Sequence, residues 1–491
     1  MKKWLSLILT VILVLSVCSF AGAADKVEIS LYRDTFELKS GPDPAQVKKV
    51  EDAINAYIDG KINVKITLTD VANSQFPEIA RLALDNKGVN LLWTAAWMGT
   101  VGCNDLVPKN AVYDITELLP GTTLYQSMDE AQWESTKYNG RNYFIPIYKD
   151  NVEGYDFMIR KELVDKYGWD LASIKSLKDL EPILKDAAEE EELDYPFLLQ
   201  GTAMFYRFML DRFDFFTGDA ESNFVAVDRE TNAVVNTVQS EDYLEYCKLM
   251  GKWADNDYLS VEESLHIPSN QTPQGTDWAV SWWTDTPVAT EASGRYNQEI
   301  VLAPATKRYS HSTSALGSCF CISADSTEEQ AKACIEFLGL LYTDQTLADI
   351  YTFGIEGEDF EYVKAEGETV NHVKQHSDKY KHLMWESASA TIVSPMEGEP
   401  DNKAELYREF NGGAETSVAA GFRFDRTPVQ DAYDKCKEVA RDQGYLLETG
   451  AYGEDGVEDA IKEYQEALDK AGYQKVLKEF QKQYAEWLAA K

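Results

Sequence analysis

From Val27 the chain alternates apolar and polar positions at Val27, Ile29 and Leu31, then changes period, with Val47, Val50, Ile54, Tyr57 and Ile58 recurring at helical spacing up to Gly60. Ile62, Val64, Ile66 and Leu68 alternate again, Phe76 to Leu84 carries a second helical stripe, and Val89 to Trp93 is an apolar run. Strand, helix, strand, helix, strand predicts a mostly parallel, helix-covered sheet and an α/β fold. Loops at the carboxyl ends of parallel strands open into a crevice faced by helix N-termini. Tyr32-Arg33-Asp34, read as following the first strand, and Thr94-Ala95-Ala96-Trp97, following the third, are therefore candidate site elements.

Asn139-Gly140, flanked by Ser135 to Tyr138 and Arg141 to Ile145, is a strong hairpin signal. Beyond it, Tyr155 to Ile159 reads as a strand entering a helix at Lys161 to Tyr167, and Leu177 to Glu192 reads as largely helical with an acidic, solvated end. The C-terminus carries two amphipathic stripes, Val457, Ile461, Tyr464 and Leu468, then Val476, Leu477, Phe480, Tyr484, Trp487 and Leu488, broken at Gly472. Polar faces such as Lys475, Lys478, Glu479 and Gln483 predict packing on their own lobe rather than on a membrane.

The first residues have a different logic. Lys2 and Lys3 precede an apolar run from Leu5 to Val17 that is too short for a retained membrane span, and Ala21-Gly22-Ala23 is a small-residue cleavage site, so residues 1–23 read as a signal peptide. Cys18 is a candidate lipidation site, although Val17 stands where a lipobox carries a small residue, and ordinary cleavage after Ala23 or Ala24 is favoured. Either route leads out of the cytoplasm. The 491-residue chain holds 83 acidic and 47 basic residues, a formal charge of -36 that becomes -38 without the signal peptide. Such a surface repels phosphates and anionic lipid, which argues against nucleic acid and bare membrane as partners.

No nucleophile elbow, P-loop, dinucleotide fingerprint or H-E-x-x-H occurs, and neither a cofactor nor a metal is expected. His372 and His376, at i, i+4, could share a helical face but lack an acidic companion within that spacing. Six cysteines beyond Cys18 are too sparse for a disulfide scaffold and lack C-x-x-C spacing. Cys319 and Cys321 read as buried thiols on one face of a strand. Aromatic residues are more informative, at 12% with 11 tryptophans. Trp97 and Trp283 fall among small or polar neighbours. Flat rings beside carboxylates and amides suit a sugar's apolar C–H face and its rim of hydroxyls.

Leu91 to Trp97, Asn139 to Pro146, Ile159 to Gly168, Phe353 to Gly357, Gly421 to Asp425 with Thr427-Pro428-Val429, and Leu447 to Gly450 together resemble extracellular solute-binding proteins of ABC transporters. The resemblance is to the carbohydrate-binding, maltose-binding-protein-like group, and within it to LipO-type lipoproteins with an additional C-terminal domain of unknown function. It implies a periplasmic-binding-protein-like type II fold, with two lobes joined by hinge strands and additional C-terminal helices. The first lobe would comprise residues 24–144 with 303–345, and the second 145–302 with 346–491, including the helical C-terminus. Crossings would fall near Ile145 to Tyr148, near Val301 to Ala305 and after Phe337 to Thr343.

The resemblance also implies Trp97 as a stacking platform, Trp283 as its counterpart on the other lobe, and Asp285 as an acceptor for hydroxyls. Tyr32, Arg33, Tyr148 and Asn151 are weaker additions, and Trp282 stays in the set because Trp-Trp at 282 and 283 leaves the register open. The function it implies is capture of a sugar or oligosaccharide by a monomer that delivers it to permease subunits without chemistry. The membrane would be met only through a lipid anchor. A secreted glycosidase working with two of the many carboxylates is the alternative, and peptide or polyamine are the alternative ligands. A surface adhesin lacks the repeats or stalk that would support it.

Overall fold

The computed structural model describes residues 26–491 apart from 37, 39–40, 192, 201–203, 216–221, 267–276, 289–292, 294–297 and 312. The cleavage site and Cys18 lie outside the described residues. Two sheets organise the rest. The first contains β1 (Val27–Thr35), β2 (Val64–Ala72), β3 (Leu91–Thr94), β4 (Phe144–Pro146) and β9 (Cys319–Ile322), in the order β2-β1-β3-β9-β4. The second contains β5 (Tyr155–Arg160), β6 (Tyr195–Phe197), β7 (Trp278–Thr284) and β8 (Ile300–Pro304), in the order β8-β5-β7-β6.

The predicted βαβαβ start is present. β1 pairs in parallel with both β2 and β3, in the register Val27↔Val64 and Leu31↔Leu91. β9 then pairs antiparallel with β3 and β4, so the sheet is mixed rather than mostly parallel. On β2, Val64, Ile66 and Leu68 are buried while Lys65 and Thr67 are exposed, as a period of two requires. Helix α1 (Pro44–Ile58) starts on Asp43, whose carboxylate accepts from Ala45 N at 2.9 Å, with Pro44 preset for the first turn. It buries Val47, Val50, Ile54 and Ile58, each worth roughly 1.5–3 kcal/mol against exposure. Gly60 then ends the element at φ 74, a conformation that favours glycine.

Two main cores result. Both β1–β4 and β9 and the helices against them, α1, α2 (Phe76–Asp85), α4 (Glu328–Leu341) and α5 (Gln345–Phe353), form the first. The second joins β5–β8 to α3 (Glu241–Asp255), α6 (Gln430–Val439), α7 (Gly453–Ala471) and α8 (Tyr473–Ala490). Leu347, Tyr351, Phe360, Val373, Tyr380, Val393 and Tyr407 pack in the first core. Residues 346–407 thus lie with the first lobe, not with the second where the sequence reading puts them. Their apolar side chains complete the cover of α1 and β1. The chain passes between cores at 149–154, at 310–315 and at 408–417, the last some 60 residues later than expected.

Asn139 and Gly140 both have positive φ, 52 and 78, and Tyr138 and Arg141 exchange backbone hydrogen bonds of 2.8 and 3.1 Å, the two-residue turn that this dipeptide favours. Gly472, at φ 104, separates α7 from α8. Val457, Tyr464 and Leu468 from α7 and Val476, Phe480 and Tyr484 from α8 are buried in the second core, with Ile461, Leu477 and Trp487 partly buried against it, whereas Leu488 at the end of the second stripe is exposed. His372 lies in a strand, His372–Gln375, and bonds Asp401 at 2.8 Å, so the pair with His376 does not share a helical face. All six cysteines of the described residues are buried free thiols.

Candidate functional site

At the carboxyl end of β3 the chain turns sharply. Thr94 Oγ1 donates to Val101 O at 2.5 Å, and a side chain at Gly102 would sit 3.0–3.2 Å from the carbonyls of Gly99, Ala95 and Ala96. That turn throws Trp97 outward, leaving it 46% exposed although its indole N–H donates to Gly317 O at 2.8 Å. Edge contacts with Phe36 (6.4 Å between ring centres) and Trp93 (6.0 Å), and a tilted contact with Trp385 (6.4 Å), fix the ring's angle. The ring is thus held along one side and open on the other.

Beneath it, β1 runs through Thr35, so Tyr32, Arg33 and Asp34 are strand residues rather than a loop. Arg33 is fully buried, and its guanidinium donates twice to Asp70 at 2.8 Å, to Tyr351 O at 2.9 Å and to the Tyr380 hydroxyl at 2.7 Å. It is therefore a core ion pair and is removed from the site. His382 Nε2 lies 2.9 Å from Asp70 as well. Tyr32 pairs with Thr69 and Leu92 and packs half-buried against the first core. Asp34 points inward, accepts from Asn73 Nδ2 at 2.6 Å, and is pushed up to about 7 mainly by burial.

On the other core, β7 ends beside the start of β5. Adjacent residues on a strand face opposite sides, and Trp282 and Trp283 separate accordingly. Trp282 enters the second core, donates to Gln200 O at 3.0 Å and carries the Arg207 guanidinium 4.2 Å above its ring. Trp283 packs on the other face with Met158, Leu198, Trp278 and Ile300, and is 8% exposed. Asp285 is buried, ion-paired with Arg308, and hydrogen-bonded to Asp156. Burial, then the charge of Asp285, pushes Asp156 up to about 8, so near neutrality it keeps its proton and donates it to Asp285. Arg308 lies 4.3 Å over the Phe410 ring, and a side chain at Gly154 would meet Arg308 Cγ at 3.2 Å and Asp285 Oδ2 at 3.3 Å.

Tyr148 belongs to the first core and Asn151 to the crossing, rather than to an open wall. Tyr148 is 5% exposed, and its carbonyl accepts from Ala390 N at 2.7 Å. Asn151 caps its own turn, its Oδ1 accepting from Lys149 N at 2.6 Å while its N–H donates to Asn411 Oδ1 at 2.9 Å. Phe36 and Trp385 escaped the sequence reading. Trp385 lies in a short helix, Met384–Ser387, among Leu383, Met384 and Glu386, and like Phe36 has no local cue. A cavity of about 390 Å³ beside α4, lined by Ile62, Leu118, Thr122 and Thr343, opens at the opposite, amino ends of the strands. Among the described residues no three His, Cys, Asp or Glu side chains group as metal ligands, and no helix is long and apolar enough to cross a membrane.

Residues 418–489 match the family model described as a domain of unknown function, DUF3502. A carbohydrate ABC transporter substrate-binding protein of Streptococcus pneumoniae serotype 4 is 26% identical over 477 residues, 96% of this chain and 93% of the relative. The N-glycan transport solute-binding protein NgtS from Streptococcus pneumoniae overlays with TM-score 0.78 at 24% identity, covering 94% of this chain and 99% of NgtS. An HMO-binding, ABC-transporter-associated solute-binding protein from Bifidobacterium longum infantis overlays with TM-score 0.62 at 15% identity, covering 94% of this chain and 99% of that one. Over nearly its whole length the chain is similar to the substrate-binding proteins of carbohydrate ABC transporters, and its fold is theirs.

Proposed function

We propose that the protein captures a neutral sugar or oligosaccharide outside the cytoplasm, in a cleft between its two cores, and hands it to the permease of an ABC transporter without changing it. The observation that carries this reading is Trp97, pinned by its N–H and by three rings yet nearly half exposed, at the carboxyl end of a sheet strand. Phe36 and Trp385 extend the platform on the first wall. Asp285 and Arg308 supply an acceptor and donors on the second, with Trp283 beside them. Relatives agree in ligand class: NgtS was solved with Man1GlcNAc and with Man5GlcNAc, and overlays on this chain with TM-scores 0.71 and 0.67 in those complexes.

The lobes of this reading are residues 26–148 with 316–407, and 155–309 with 418–491, turning about the three crossings. A glycosidase would need two carboxyls about 5–10 Å apart, with the scissile bond between them. Asp156 and Asp285 are instead bonded to each other, which leaves no room for a sugar between them. The protein is exported as a monomer by its signal peptide, with cleavage after Ala23 or Ala24, or with lipidation at Cys18, deciding whether it is released or tethered.

Calorimetric titration of residues 24–491 with neutral oligosaccharides, mannose–GlcNAc glycans among them, and with short peptides and polyamines tests the reading. Saturable binding of an intact glycan that weakens in Trp97→Ala supports it. Binding of peptide or polyamine alone, or hydrolysis of the glycan, overturns it.

A further inference from the structure

The C-terminal region of unknown function makes one contact that its packing in the second core does not require. Phe422 to Arg426 form a loop bolted to α8 from behind. The Phe424 ring stacks on Phe480 with ring centres 3.5 Å apart, and Phe422 lies against Tyr484 (5.1 Å) and Trp487 (5.8 Å). Gln483 closes the fastening, accepting from Asp425 N at 2.8 Å and donating to Asp425 O at 2.9 Å. These three aromatic contacts and two hydrogen bonds fix the loop to the second lobe.

The tip of this loop faces the other way. Arg426 Nη2 lies 3.3 Å from Asp105 Oδ2, in the short helix Cys103–Leu106, whose Cys103 and Leu106 belong to the first core. The Arg426 side chain is 24% exposed and that of Asp105 31%, and the guanidinium rests 5.5 Å from the Tyr433 ring of α6. Arg423 is 7% exposed, beside Cys103, Cys319 and Tyr138, all of the first lobe's elements. Tyr138 in turn feels Asp425, Arg423, Arg426 and Asp105 together. The loop is thus anchored in one core, ion-paired to the helix after β3 of the other and set beside Tyr138 of its Asn139 hairpin.

We propose that the C-terminal module is a brace between the lobes, in which Arg426 and Arg423 engage Asp105 and its surroundings to set the angle between the two cores in the ligand-free protein. Because Asp105 lies eight residues beyond Trp97, after the turn closed by Thr94 and Gly102, the brace also fixes the segment that carries the stacking platform. Arg426 and Asp105 act as positioning residues. Neither needs to touch ligand, and the inference holds whatever the cleft binds.

The test measures lobe separation directly. Spin labels go on Cys introduced at Lys87 of the first lobe and Lys178 of the second, whose side chains are 70% and 63% exposed, while the native thiols are buried. Double electron–electron resonance on the ligand-free chain then gives the distance distribution for the parent, Arg426→Asp, Asp105→Asn and the exchange pair Asp105→Arg with Arg426→Asp. The expected result is a distribution shifted or broadened in both single variants, by a roughly 1.5- to 5-fold change in relative populations, the range that a partly exposed ion pair supports. The exchange pair restores the parent distribution. A merely structural role would lower the melting temperature without moving the distribution. Single variants that superimpose on the parent, or an exchange pair that does not restore it, overturn the brace. Loss of glycan binding with the distribution unchanged would count against the brace while leaving the ligand reading intact.

Discussion

Replacing Asp156 by Asn isolates the proton shared on the second wall. In the folded protein Asp156 releases its proton at about 8, against 3.8 when free, because it is buried beside Asp285. Between those values the folded state binds a proton that the unfolded state does not, so stability falls as pH rises from about 4 to 8 and is level above. At pH 7 this opposition amounts to about 4 kcal/mol at 1.36 kcal/mol per pH unit, and water entry at a wall residue reduces it to roughly 2–4 kcal/mol. An Asn amide donates to Asp285 at every pH and carries no charge to desolvate. Asp156→Asn should therefore match the parent near pH 4.5 and gain stability progressively to pH 8, where its melting temperature should exceed the parent's by roughly 2–4 °C. Glu448 and Asp34, both raised to about 7 by burial, act in the same direction in both proteins, so the variant's own curve still declines, but less steeply. Thermal melts followed by circular dichroism from pH 4.5 to 9 check this. Parallel curves, or a variant less stable throughout, would refute the shared proton.

Further perturbations separate ligand contacts from scaffold. Trp97→Ala should weaken glycan binding by about 1–3 kcal/mol in calorimetry with only a small drop in melting temperature, since the ring is 46% exposed and packs on one side alone. Arg33→Ala should cost about 3–5 kcal/mol in denaturant unfolding, because it leaves Asp70 buried without its guanidinium, and should leave the ligand preference of the folded fraction unchanged. Glu448→Ala should destabilise by about 2–4 kcal/mol, because Phe205 N–H and Asn223 Nδ2, at 3.1 and 2.7 Å from the carboxylate, lose their acceptor. Glu448→Gln, which keeps one acceptor oxygen, should recover part of that loss. A thiol reagent should modify none of Cys103, Cys247, Cys319, Cys321, Cys334 and Cys436 until the protein unfolds.

Elements with a clear period were readable in the sequence. The β1–α1–β2 alternation, the Asn139-Gly140 turn, and the α7 and α8 stripes each carry their own local signal. Local patterns say nothing of which core a helix joins, and the topology implied by the resemblance, with a crossing after Thr343, assigns residues 346–407 to the other sheet. Their apolar faces are compatible with either, and only the pairing of Leu347, Tyr351 and Tyr380 with the β1–α1 layer decides. The site shows the same division. Trp97 stood out because a large aromatic among small residues has no local core to enter, whereas Arg33 looked equally polar and is neutralised by Asp70 from a strand 37 residues away. Where β1 ends could not be read from alternation, because Tyr32 to Thr35 continue the strand with polar side chains that find buried partners.

Solution X-ray scattering on the mature chain, with and without a saturating oligosaccharide that calorimetry shows to bind, tests most directly whether ligand is held between two closing lobes. The account predicts a smaller radius of gyration with ligand, a return to the ligand-free profile when the glycan is dialysed away intact, and no such change in Trp97→Ala at the same ligand concentration. Superimposable profiles at saturation would contradict capture by closure, and a glycan recovered in cleaved form would contradict transport without chemistry.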